Sequence, residues 1–113
     1  MTAEGAPLSY TVVHTEIFEK QWREIWTEDQ RGEFAAFIAA NPTAGDVIAH
    51  SGGLRKVRWM VLGKGKSGGV RVIYYNQLDN GQIWLLVIYE KTKADSISAH
   101  ALRLIAKAMG VMS

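Results

Sequence analysis

The stretch SGGLRKVRWMVLGKGKSGGVRVIYY, Ser51 to Tyr75, decides how the rest of the chain is read. It describes two strands joined by a glycine-rich loop. Leu54 to Leu62 alternates, with Val57, Trp59 and Val61 on one face and Lys56, Arg58 and Met60 on the other, and Val70 to Tyr75 resumes as a strand after the loop Gly63 to Gly69. The hairpin carries Arg55, Lys56, Arg58, Lys64, Lys66 and Arg71 with no acid among them. Charges on an exposed strand face are often merely solvated, and lysines discourage edge pairing. Gathering this many like charges nevertheless works against folding. A phosphate backbone, specifically single-stranded RNA, is the partner that would compensate them.

Downstream, Asp79-Asn80-Gly81 supplies left-handed turn residues leading into QIWLLVIYE, Gln82 to Glu90. That run is apolar on both faces and is therefore expected at the centre of a sheet. Ile97 to Met109 places Leu102, Ile105, Ala106 and Met109 on one helical face, with Arg103 and Lys107 outside. Upstream, Leu8 to Thr15 has the β-branched content of a strand, and residues 1–7 read as a flexible leader. From Glu16 the period changes, and Phe18, Trp22 and Ile25, with Ile17 and Trp26 beside them, define an amphipathic helix. Thr27 and Gln30 form a capping box for a second helix, which runs through Phe34, Phe37 and Ile38 to a stop at Asn41-Pro42. The order strand, helix, helix, three-stranded meander, helix predicts an α+β domain, residues 1–113, with helices packed on an antiparallel sheet.

The chain of 113 residues is long enough to bury one core without staples. It contains no cysteine, which excludes disulfides, thiolate metal sites and a cysteine nucleophile. The longest apolar run, Ile83 to Tyr89, is too short to span a bilayer, and the N-terminus lacks the pattern of an export signal. A cytoplasmic protein is expected. The net charge of +2 hides a division: residues 1–46 hold three basic and eight acidic side chains, a balance of −5, and residues 47–113 hold ten and three, a balance of +7. The cationic field belongs to the second half.

Several motifs point elsewhere and fail on context. Gly63, Gly65, Gly68 and Val70 spell the glycine pattern that covers ATP phosphates in kinases, but the chain is too short for a kinase and carries none of its other motifs. A strand, not a helix, follows these glycines, which excludes a dinucleotide fingerprint, and the spacing before Gly65-Lys66-Ser67 is wrong for a P-loop. His14, His50 and His100 have no metal-ligand spacing, so no metal is expected; His50, just before the hairpin, is the one placed to carry a proton. Among the aromatics, Trp22, Trp26, Trp59 and Trp84 read mostly as core, whereas Tyr75 and Tyr89 stand beside cations and are candidates for stacking on bases.

Three blocks, GGLRKVRW (Gly52 to Trp59), GKGKSGGVRVIYY (Gly63 to Tyr75) and LLVIYEKTKADS (Leu85 to Ser96), together resemble the signature blocks of the RelE/ParE superfamily of toxins from type II toxin-antitoxin modules, in particular its HigB-like branch. The likeness covers roughly Phe34 to Met109. It implies the RelE-like fold and a ribosome-dependent endoribonuclease, an mRNA interferase that cuts mRNA by attack of its own 2′-hydroxyl and is held inactive by a cognate antitoxin. No cofactor is implied. By position, Lys56, Arg58, Arg71 and Lys91 match the family's catalytic cations. Arginine suits charge stabilisation, and a lysine crowded by cations suits proton transfer. Arg55, Lys64, Lys66 and Lys93, with Tyr75 and Tyr89, are then expected to hold the RNA. Some members use a glutamate or a histidine, which keeps Glu90 and His50 as candidates. Two other functions share these features: the gyrase-poisoning toxins of the same fold, which cut no RNA, and a plain RNA-binding module.

Overall fold

The structure, a computed structural model, describes residues 10–60, 69–91 and 97–113. A five-stranded sheet in the order β1-β5-β4-β3-β2 divides two layers of helix. Strand β1 is Thr11–His14, β2 Asp46–Val47, β3 Arg55–Trp59, β4 Val70–Gln77 and β5 Gln82–Glu90; helix α1 is Glu16–Trp22, α2 Glu28–Ala40 and α3 Ala99–Ala108. The meander β3-β4-β5 is antiparallel, as its short connections require. The N-terminal strand differs from the antiparallel expectation: β1 runs parallel to β5, because the intervening helices return the chain across the sheet before the meander begins. The two-residue β2, absent from the sequence reading, adds a short outer edge.

Local chemistry sets the element ends. The reciprocal capping box of Thr27 and Gln30 starts α2 as anticipated. Helix α1 is shorter than its apolar periodicity suggests, since it ends at Trp22 and leaves Ile25 and Trp26 in the turn before Thr27. The Leu78–Asn80 turn is a single 3-10 turn closed by Gly81 at φ 71°; Asp79 and Asn80 are not left-handed.

The sheet carries core on both faces. On one, α1 and α2 bury Phe18, Trp22, Phe34 and Ile38 against Val57, Val72, Tyr74, Ile83, Leu85 and Ile88. On the other, α3 buries Leu102 and Ala106 against Leu54, Ile73, Leu86, Val87 and Tyr89. Strand β5 supplies both clusters, which accounts for its two-sided hydrophobicity. It also contains a bulge. Ile73 faces Val87 and Tyr74 faces Leu85, so Leu86 is the extra residue, and Leu86 and Val87 both join the α3 cluster. Thr15 fixes this bulge. Its hydroxyl donates to the Leu86 carbonyl at 2.7 Å and accepts from the Phe18 N–H at 3.0 Å, capping α1.

Candidate functional site

The register of the meander assembles the cations. Arg58 on β3 lies directly opposite Arg71 on β4, and Arg71 directly opposite Tyr89 on β5. Directly opposed residues share a face, and neighbouring strands stand about 4.8 Å apart, so Arg58, Arg71 and Tyr89 form a row roughly 10 Å long. One step along, Lys56 is opposite Ile73 and lies on the same face. Lys91 follows Tyr89 by two residues and belongs to that face by alternation; its backbone N–H bonds the Gly69 carbonyl at 3.4 Å. Tyr89 and Ile73 belong to the α3 cluster, so the row lies on the α3 side of the sheet.

Two arginines directly opposed on neighbouring strands repel, and this cross-strand pair does not by itself stabilise the sheet. Arg58 is exposed, whereas Arg71 is only 8 % exposed. An enclosed guanidinium projects its field through a medium of lower dielectric than water and acts more strongly on an anion there. The Tyr89 phenol is held above its usual value of 10 by burial, while the neighbouring Arg71 charge pulls the other way. Tyr89 is therefore a hydroxyl donor at neutral pH and not a base. The register thus sets two guanidinium groups and a phenol on one face, with Lys56 and Lys91 flanking them.

Gly69 lets the strands meet at this end. It has φ +66°, and a Cβ there would stand 2.4 Å from the Trp59 carbonyl oxygen. On the opposite face Trp59 packs between Phe34 and Phe37, with ring centroids 5.2 and 4.9 Å away. Trp59 is thus a clamp between α2 and the end of β3.

The other expected residues are dispersed. Arg55 projects to the α1–α2 side, where its Nη1 donates to the Gly45 carbonyl at 2.6 Å and reaches the Thr43 carbonyl at 3.4 Å. It anchors the loop before β2 beside Tyr74, whose hydroxyl accepts from the Gly45 N–H at 2.9 Å and donates to the Pro42 carbonyl at 2.8 Å. Tyr75 shares the face of the row but stands four residues from Arg71, about 13 Å along the strand. His50 occupies the turn before β3, exposed and at φ 63°, at the end of β3 away from Arg58. His14 bonds Glu19 through Nδ1 at 2.7 Å. Glu90 follows Tyr89 on the other side of β5 and, with Gln21, Glu24 and Ile25, lines a cavity of about 200 Å³ beside α1. Lys64, Lys66 and Lys93 lie outside the described residues.

One neighbour escaped the sequence reading. Asp46 on β2 is directly opposite Lys56, which gives the lysine end of the row an acidic edge. The hydrophobic pattern does not signal a strand of two residues, and only the structure sets these two positions opposite each other.

No protein-family model matches the sequence. Among solved structures, the chain is similar to the free state of an Escherichia coli RelE toxin in which two arginines are replaced by alanine, with a TM-score of 0.60 over 86 % of this chain and 96 % of that one at 13 % identity. The chain shares the RelE fold. Among the described residues no helix is long and apolar enough to cross a membrane.

Proposed function

We propose that the protein is a toxin of the mRNA-cleaving kind and that the row of Arg58, Arg71 and Tyr89, flanked by Lys56 and Lys91, is its catalytic face. The observation that carries this reading is the cross-strand register, which sets two arginines and a neutral phenol side by side on a RelE fold. RNA cleavage by its own 2′-hydroxyl requires deprotonation of that oxygen, stabilisation of charge on the phosphate and protonation of the leaving 5′-oxygen. Arg58 and Arg71 carry planar guanidinium forks that suit the phosphate. The Tyr89 hydroxyl suits a non-bridging or leaving oxygen, and Lys56 and Lys91, at the two ends of the row, are the groups positioned to move protons. The decoding site of the ribosome, where mRNA is single-stranded, is the place of action, and a cognate antitoxin is the partner that masks the cationic face. Lys64, Lys66 and Lys93 complete the grip on the RNA backbone; Arg55, committed to two carbonyls, acts on the fold instead.

Primer extension on mRNA in a translating extract tests this. Wild-type protein is expected to give codon-phased cuts, and Lys56→Ala, Arg58→Ala or Arg71→Gln to lose them by roughly 10²- to 10³-fold, the usual effect of removing a proton-transfer group or a donor to a developing anion. Absence of cuts with folded wild-type protein would refute the reading, and inhibition of DNA supercoiling by the same preparation would replace it with the gyrase-poisoning one.

A further inference from the structure

Helix α3 lies on the same side of the sheet as the cationic row, and its outer surface carries charge of one sign. Leu102 and Ala106 are buried against the sheet, while His100, Arg103, Leu104 and Lys107 are exposed. No acid stands anywhere on the helix. Within the described residues the ion pairs, His14–Glu19, Arg23–Glu19 and Arg31–Glu28, all lie on the β1–α1–α2 side, and none involves Arg103 or Lys107. The helix axis also has a direction. β5 ends at the row, α3 begins eight residues after Lys91, and its far end meets the opposite end of the sheet, where Gln77 Nε2 donates to the Val111 carbonyl at 3.0 Å. From Ala99 to Ala108 the helix is about 14 Å long at 1.5 Å per residue. His100, Arg103 and Lys107 thus form a ridge along α3 whose Lys107 end lies toward the end of the sheet opposite the row.

The last turn of a helix favours Lys107 through its dipole, but that does not account for Arg103 in the middle or for the lack of any acid across the ridge. We infer that the outer face of α3 is a second backbone-binding surface, which tracks the single-stranded RNA emerging from the catalytic row. This rests on the RNA reading of the row and extends it to a surface outside the reacting groups. The exposed Leu104, 55 % accessible, provides an apolar contact for a sugar or base between the two cations. Positive charge set along a strand's path, with little sequence preference, is the usual device for holding single-stranded nucleic acid.

The test uses fluorescence anisotropy of labelled single-stranded RNA with 2′-deoxy substitution to block cleavage, comparing a dinucleotide with a strand of about 16 nucleotides. For Arg103→Gln/Lys107→Gln, the log–log salt slope of binding to the long strand is expected to fall by about 1.4, from roughly 0.7 for each phosphate no longer neutralised. The dinucleotide slope should not change, nor should the slopes of the Lys20→Gln/Arg23→Gln control on α1. A long-strand slope equal to wild type in the folded α3 variant would overturn the inference. Loss of slope in a protein that gives no cuts on the ribosome would keep the RNA path and remove the nuclease function instead.

Discussion

Replacing Thr15 by valine isolates the contact that fixes the bulge in β5. Thr15 is buried at 4 % exposure, and its one hydroxyl serves two backbone groups. Valine keeps the shape and removes both bonds. Loss of the cap on α1 costs about 1 kcal/mol, and leaving the buried Leu86 carbonyl without its donor costs about 1–3 kcal/mol more. Together these come to about 2–4 kcal/mol, a large share of the stability of a small domain. Thr15→Ser retains the hydroxyl and loses one methyl, worth about 1 kcal/mol. In urea, with a slope of about 1–2 kcal/mol per molar for a chain of this size, the valine variant should unfold at least about 0.5 M below the serine variant. Amide exchange at Phe18 should quicken in the valine variant alone, because that N–H loses its acceptor. Equal unfolding midpoints for the two variants would refute the assignment of the hydroxyl as the bulge's anchor.

Four further outcomes follow from the structure. The Glu19 carboxyl, hydrogen-bonded by His14 and also paired with Arg23, is lowered from 4.5 to about 2, so its contribution to stability is in place above pH 4.5 and is lost as pH falls toward 2; carboxyl NMR titration should find the low midpoint, and His14→Ala should raise it. Tyr89→Phe removes one donor from the row and leaves the ring, so cleavage should fall by roughly 10²-fold without a matching loss of thermal stability, whereas a fully active variant would remove the phenol from the chemistry. Gly69→Ala places a Cβ against the Trp59 carbonyl at a left-handed φ and should cost at least about 1–2 kcal/mol by denaturant titration. Tyr74→Phe takes a donor from the Pro42 carbonyl and an acceptor from Gly45, and should cost about 1–3 kcal/mol while leaving the cationic row in place.

Much of the architecture is legible in local patterns because each element carries its own signal. The Thr27–Gln30 box, the period of α3 and the two-sided apolar run of β5 are properties of contiguous residues, and each reappears in the structure. Where the structure differs, the cause is local in one case and tertiary in the others. Ile25 and Trp26 keep helical spacing yet lie in a turn, because the Thr27 cap starts a new helix there. The parallel pairing of β1 depends on how α1 and α2 return the chain, which no local pattern encodes. Alternation already places Arg55 and Lys56 on opposite faces of the strand, but only the structure shows that Arg55 is committed to loop carbonyls while Lys56 lies on the face of the row.

By itself the sequence determined that the second half of the chain is cationic, that a basic hairpin leads into a central apolar strand, and that a closing helix has a basic outer side. It could not fix the phase of that strand. Ile83 to Tyr89 is apolar throughout, so alternation alone does not say whether Glu90, or Tyr89 with Lys91, faces the arginines. The extra residue at Leu86, anchored by Thr15 from 71 positions upstream, shifts the phase by one and sets Tyr89 opposite Arg71. A one-residue shift reverses every side chain beyond it, so which residues face the cationic row depends on a bulge whose carbonyl is held by a long-range hydrogen bond.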